Sequence, residues 1–82
     1  EQININEKLI VNRTMDVLKI KTNKNSILKS IKIFDVLGRI LLEAKPNEMD
    51  YLIAGQDFQP SGIFIIQVEL NNSKILTKKI IL

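Results

Sequence analysis

The chain contains no cysteine, no histidine and no tryptophan among its 82 residues. The absence of cysteine excludes disulfide bonds and thiolate metal sites. Without histidine, the chain lacks the commonest general base and the commonest zinc ligand. Aromatic residues make up only 5% of the chain. We therefore expect a domain that is not an enzyme and that binds no cofactor and no metal.

Long hydrophobic segments are also missing. The longest apolar runs have about four residues, far below the roughly 20 that a membrane-spanning helix needs. No signal-peptide pattern opens the chain, so we expect an export signal, if one exists, to lie upstream in a longer precursor. With 82 residues the chain is too short for two independent cores. Residues 1–82 are therefore predicted to form a single domain.

The charge of the chain is weakly basic. Twelve lysine and arginine residues outnumber nine acidic ones, which gives a net charge of +3. A nucleic-acid-binding protein would combine such a charge with stacking aromatic residues or a helix that enters a groove. The sequence shows neither pattern. We expect the lysines to lie on solvent-facing strand surfaces and at sheet edges.

Apolar and polar residues alternate along much of the chain, which predicts short strands. Leu18 and Ile20 are predicted to face a core, as are Ile31 and Ile33. In the strand at 62–70, Phe64, Ile66, Val68 and Leu70 share one face, and Gln67 and Glu69 lie opposite. Strands are predicted at residues 9–11, 16–21, 28–35, 39–43, 48–53, 62–70 and 74–82, with a short alternating segment at 3–5. No segment has a helical apolar stripe. The pattern predicts an all-β fold, a small antiparallel β-sandwich of immunoglobulin-like size with about seven strands.

The segment Asp35-Val36-Leu37-Gly38 has the composition of a tight turn between two strands. An aspartate at the first position caps the backbone, and a glycine at the fourth accepts a positive φ without penalty. Arg39 then begins the returning strand. The sequence predicts a type I turn followed by a glycine bulge, with Asp35, Gly38, Arg39 and the later Gly62 as determinants of the fold.

The last predicted strand has no clean apolar face. One face carries Ile75, Thr77, Lys79 and Ile81, and the other carries Leu76, Lys78, Ile80 and Leu82. One interpretation is an edge strand whose lysines block unwanted pairing. The other is a strand that presents its edge or its side chains to a receptor, as in strand addition. The two interpretations are compatible.

Residues that could carry chemistry are sparse. The candidates are a Ser30–Lys32 pair, a Glu48–Asp50 pair of carboxylates, and a calcium site drawing on Asp16, Asp50 or Asp57. Such pairs are common on exposed strands, and no calcium-binding loop has a recognisable spacing. We expect none of them to be catalytic.

Several short motifs occur in a fixed order along the chain. They are Asn12, Asp16, Leu18 and Ile20, then the hairpin Phe34-Asp35-Val36-Leu37-Gly38-Arg39, then Gly62-Ile63-Phe64, and finally Lys78-Lys79-Ile80. In this order the chain resembles the C-terminal sorting domain of the type IX secretion system, found on exported proteins of Bacteroidota. Val11 and Arg13 depart from that family, which usually has prolines flanking the asparagine.

The resemblance implies an address label on an exported cargo protein. Its partners would be outer-membrane components of the type IX system, a surface sortase that removes the domain, and the covalently linked cargo. We expect the domain to pass through the periplasm to the cell surface or the medium without inserting into a membrane. The residues expected to be read by a receptor are Lys74, Lys78, Lys79, Ile80, Ile81 and Leu82. The alternative is an accessory β-sandwich that binds a glycan or another surface ligand.

Overall fold

A computed structural model describes residues 6–15, 17–54 and 62–81 of the chain. These residues form seven strands: β1 (Leu9–Thr14), β2 (Val17–Thr22), β3 (Leu28–Phe34), β4 (Ile40–Ala44), β5 (Asp50–Ala54), β6 (Ile63–Leu70) and β7 (Ile75–Ile81). None of the described residues is helical, as predicted. The alternating segment at 3–5, Asp16, Asp57 and Leu82 lie outside the described residues.

The strands form two antiparallel sheets. One has the order β1-β2-β5 and the other has the order β4-β3-β6-β7. The predicted all-β fold, with seven strands in a small sandwich, is confirmed. In a constant-type immunoglobulin domain the fourth strand lies beside the fifth, whereas here it lies beside the third. This placement puts both long hairpins, β3–β4 and β6–β7, in the four-stranded sheet.

The core lies between the two sheets and is almost entirely aliphatic. Its fully buried members come mainly from β3 and β6, the two inner strands of the larger sheet. The buried apolar residues are Leu9, Leu18, Ile20, Leu28, Ile31, Ile33, Ile53, Phe64, Ile66, Val68, Leu70, Leu76 and Ile80. Alternate residues of each strand point to the same face of a sheet, so the period-two pattern of the sequence identified the buried residues of β2 and β6 correctly, and Ile31 and Ile33 of β3. It missed Leu28, because the register shifts between Leu28 and Ser30.

The hairpin between β3 and β4 has the predicted turn. The Gly38 N–H donates to the Asp35 carbonyl oxygen at 3.0 Å, and the Asp35 N–H donates to the Arg39 carbonyl oxygen at 3.0 Å. Gly38 has a φ of 84°, which a residue with a Cβ adopts only at a cost. These bonds are those of a type I turn closed by a glycine bulge, and the prediction is confirmed.

The hairpin between β6 and β7 has the same hydrogen bonds. The Ser73 N–H donates to the Leu70 carbonyl oxygen at 2.9 Å, and the Leu70 N–H donates to the Lys74 carbonyl oxygen at 2.8 Å. Ser73, with a φ of 71°, occupies the position that Gly38 holds in the first hairpin. The second turn therefore places an L-residue where the backbone favours glycine.

Replacing Ser73 with glycine should raise the free energy of unfolding by about 0.5–1 kcal/mol. The substitution removes roughly 1–2 kcal/mol of left-handed strain, and the greater freedom of glycine in the unfolded chain offsets about half of that gain. Urea denaturation followed by circular dichroism measures the change. The control is Asn71→Gly in the same turn, which relieves no positive φ and should destabilise. If Ser73→Gly destabilises as well, the strain is absent.

The first hairpin of the chain differs from the prediction. The first strand was predicted to end at residue 11, but β1 continues through residues 12–14, and Thr14 pairs with Val17 of β2. Met15 makes this tight connection possible because it adopts a φ of 51°. The composition concealed the turn, since methionine is not a typical turn residue.

Candidate functional site

The carboxylate of Asp35 holds the β3–β4 turn rigid. Its Oδ1 accepts hydrogen bonds from the N–H groups of Leu37 and Arg39, both at 2.9 Å, and its Oδ2 accepts one from Arg39 Nε at 2.6 Å. The bond from the Arg39 backbone, supported by the Arg39 side chain and the Leu37 N–H, lowers the pKa of Asp35 below its ordinary value. Three of the four proposed fold determinants thus act in one turn.

Gly62, the fourth, stands immediately before β6. It has a φ of 104°, and a Cβ built on it would meet no atom within 4 Å. The requirement for glycine at this position is therefore conformational and does not come from crowding.

The six residues predicted to contact a receptor fall into different environments. Ile80 is 8% exposed and belongs to the core, so a partner cannot reach its side chain while the sandwich is closed. Lys79 and Ile81 lie on the outer face of the four-stranded sheet, exposed to solvent. Leu82 lies outside the described residues.

Lys78 points inward, toward the seam between the two sheets. It shares the face of Leu76 and Ile80, and its Nζ donates to the Leu9 carbonyl oxygen of β1 at 3.4 Å. A groove of about 260 Å³ follows this seam, lined by Glu7, Lys8, Leu9, Leu76, Thr77 and Lys78. An inward-pointing charge on an edge strand opposes the addition of a further strand, because pairing would strip water from the ammonium group. The edge of β7 is thus poorly suited to strand addition.

Lys74 lies near a buried carboxylate at the other end of β7. Glu7 is 8% exposed and accepts a hydrogen bond from the Ser26 hydroxyl. That bond lowers the pKa of Glu7, and the Thr22 hydroxyl and the charges of Lys74 and Lys24 act in the same direction, against the effect of burial. Lys74 is thus one of the two lysines whose charge favours the ionised form of Glu7.

Asn23 anchors the segment that leads into β1. Its Oδ1 accepts a hydrogen bond from the Lys8 N–H at 2.9 Å, and its Nδ2 donates to the Asn6 carbonyl oxygen at 3.2 Å. The Asn23 N–H also donates to the Lys8 carbonyl oxygen at 3.1 Å. These bonds extend the β1–β2 pairing beyond Leu9 and fix the path of residues 6–8.

Exposed aliphatic side chains gather at the opposite end of the four-stranded sheet. We name this surface the hydrophobic end, and its members are Val36 (66% exposed), Leu37 (76%), Ile40 (52%), Ile63 (40%) and Ile81 (73%). Phe34 pairs with Ile40 on one side and with Ile65 on the other, and Ile63 pairs with Ile81. Because neighbouring strands lie about 4.8 Å apart, this register brings the members from β4, β6 and β7 to the same end of the sheet as the β3–β4 turn.

The hydrophobic end was not among the predictions from the sequence, although the sequence contains one signal for it. The central positions of a β-turn usually carry polar residues, proline or glycine, and Val36 and Leu37 break that rule. The remaining members come from three other strands, and only the pairing register brings them together.

The structure does not bring the weaker candidate residues from the sequence together into a site. Ser30 and Lys32 pair with Glu69 and Gln67, and Lys19 forms an ion pair with Asp50 at 3.8 Å. No three potential metal ligands among the described residues lie close enough together to hold an ion. A helix that could cross a membrane is also not found in the described part of the chain.

Comparison with known proteins places the chain in a family. The family model described as "Domain of unknown function (DUF8694)" matches residues 1–82. The chain belongs to this family. The DUF8694 domain is also similar to ulvan lyase NLR42 from Nonlabens ulvanivorans, with 36% identity over 70 residues. The similarity covers 85% of this chain but 13% of the lyase, so the chain corresponds to a small part of an enzyme.

Proposed function

We propose that this DUF8694 domain is a sorting signal, which directs an attached cargo protein through the type IX outer-membrane export machinery to the cell surface or the medium. The β3–β4 hairpin carries the proposal. Each polar or glycine position of the sorting-domain hairpin motif has a structural task here. Asp35 caps the turn, Gly38 supplies the positive φ, and Arg39 binds the Asp35 carboxylate through its backbone and its side chain. These bonds hold the turn in one conformation, in which the side chains at its tip are available to a partner.

The similarity to a lyase supports a module on a larger protein. A similarity that extends over 70 residues and covers 13% of an enzyme is expected of a domain that accompanies a catalytic unit and performs no part of its reaction. Under this proposal the domain is not an enzyme and needs no cofactor. Its partners are outer-membrane type IX components, a surface sortase and the linked cargo, and it passes through the periplasm on its way outward.

A fusion of residues 1–82 to a periplasmic fluorescent reporter in a Bacteroidota host tests this function. The full fusion should reach the surface or the medium, and it should stay in the periplasm of a strain that lacks the type IX machinery. The reporter without the domain is the control and should remain in the periplasm of both strains. Retention of the full fusion in the wild-type strain would overturn the proposal.

The contribution of β7 needs two further variants in the same assay. A chain that ends at Thr77 should be retained, but it also loses Ile80 from the core. The double substitution Lys79→Ala with Ile81→Ala removes only exposed side chains of β7. Retention of both variants would assign the signal to the outer face of β7, whereas export of the double variant would show that the truncation acts through folding.

The second candidate function is a glycan-binding accessory module. The similarity to part of an ulvan lyase favours it, since accessory modules of such enzymes can hold the substrate. Tyr51, Phe34 and Phe64 are buried or half-buried, so the described residues offer no exposed aromatic platform for a sugar. Titration of the domain with ulvan oligosaccharides in a calorimeter should show no heat of binding, and saturable binding would favour this candidate.

A further inference from the structure

We propose that the hydrophobic end is the surface on which the receptor docks, and that the receptor is a protein with an aliphatic depression bordered by carboxylates. The inference rests on the proposed function and names the partner-facing surface of the sorting signal. It moves that surface from the edge of β7 to the end of the sheet where the β3–β4 hairpin, the start of β6 and the end of β7 meet.

The side chains at the turn tip do not serve the fold. Val36 and Leu37 are more than half exposed and do not belong to the core. Their positions need no apolar residue, because the two central positions of a type I turn accept most residue types, with proline favoured only at the first of them, which Val36 occupies. Folding therefore leaves their aliphatic character unexplained, and a contiguous exposed apolar patch is typical of an interaction site.

The turn also presents these side chains at low entropic cost. Three hydrogen bonds to the Asp35 carboxylate and the closing Gly38 bond fix the backbone around Val36 and Leu37 before any partner arrives. Binding to a preorganised loop avoids the free energy of ordering it. This explains why a sorting signal would combine a turn fixed by hydrogen bonds to Asp35 with apolar side chains at its tip.

The charge beside the hydrophobic end indicates which groups should surround the binding surface of the receptor. Lys79 pairs with Ile65 across the strands, directly beside Ile63 and Ile81, and it forms no salt bridge in the described part of the chain. The Asp35 carboxylate is already neutralised by Arg39. The border therefore carries an excess positive charge, which acidic groups on a receptor complement.

A protein partner fits this surface better than a lipid surface does. Membrane-binding surfaces rely on clusters of lysine and arginine and on tryptophan or tyrosine at the interface. The chain has no tryptophan, and its single tyrosine, Tyr51, packs against the core. One unpaired lysine contributes only about 1 kcal/mol toward an anionic membrane.

The reporter fusion tests the inference with two matched variants. Val36→Ser with Leu37→Ser should lower the exported fraction roughly tenfold or more, the loss expected when hot-spot side chains are truncated. The control, Met49→Ser with Leu52→Ser, removes two apolar side chains of similar exposure, one just before β5 and one within it, and should export as wild type does. Thermal unfolding of each purified variant must match the wild type.

The outcomes separate the two proposals. If the wild-type fusion is retained, the sorting function falls and the inference falls with it. If the wild-type fusion is exported and the turn variant (Val36→Ser with Leu37→Ser) is exported equally well, the docking surface lies elsewhere while the sorting function stands. The same conclusion follows if the turn variant and the control variant lose export to the same extent. Flotation of the purified domain with vesicles of phosphatidylglycerol and phosphatidylethanolamine should show no binding. Vesicle binding that the turn variant loses would overturn the protein partner in favour of lipid.

Discussion

Replacing Ile66 with alanine is expected to lower the free energy of unfolding by about 2–5 kcal/mol. Ile66 is fully buried on β6 and lies opposite Ile33 of β3. A domain of this size has a total stability on the order of 4–12 kcal/mol, so the variant would lose a large share of it. The effect combines the lost transfer free energy of three carbon atoms with the cavity that a tightly packed core cannot fill.

Urea denaturation followed by circular dichroism measures this loss, and Ile75→Ala provides the matched control. Ile75 is the same residue type at the start of β7, but it is 58% exposed, so its truncation should change stability by less than about 0.5 kcal/mol. Equal effects of the two substitutions would contradict the core assignment, and so would a loss confined to Ile75→Ala.

Replacing Gly38 with valine is expected to cost about 2 kcal/mol or more. Its φ of 84° is strained for any residue with a Cβ, and it is a genuine outlier for a β-branched one. A Cβ at this position would meet no atom within 4 Å, so the cost is conformational. The strain should also tilt the turn and disturb the hydrogen bonds around Asp35.

The conservative variant Gly38→Asn distinguishes a requirement for a positive φ at this position from a requirement for a contact made by the glycine backbone. Asparagine tolerates a positive φ better than other residues with a side chain, so it should cost under about 1 kcal/mol and keep export of the reporter. Valine should lower both stability and export. If asparagine and valine were equally damaging, a contact made by the glycine backbone, and not its φ, would be the cause.

The sequence was sufficient for the local parts of this structure. Alternation identified the buried faces of β2, β3 and β6, and the order Asp, any two residues, Gly, Arg identified one turn down to its hydrogen bonds. The non-local parts were out of reach. That β5 pairs with β2, across the intervening β3–β4 hairpin, depends on how the sheets close, which no short segment encodes. The inward direction of Lys78 likewise depends on the gap between β7 and β1.

The site was less predictable than the fold. Lys78, Lys79 and Ile80 are consecutive in the sequence, yet they lie at the seam, on the outer face and in the core. Conversely, Leu37 and Ile81 are far apart in sequence but lie at the same end of one sheet. Proximity at a site follows from strand register, and the register is fixed only when the whole core forms.

The hydrogen bonds of Asn23 fix the point at which a segment preceding Asn6 enters the sandwich. They hold Asn6 beside the β2–β3 turn, the end of the sandwich where β6 also turns into β7. The Val36–Leu37 tip projects from the far end, and the eight residues of β6 span about 25 Å between the two. The point of attachment before Asn6 and the Val36–Leu37 tip therefore lie at opposite ends of the four-stranded sheet. A bulky segment attached before Asn6 would leave the tip accessible, so under the proposed function cargo proteins of very different size and shape could carry the same signal.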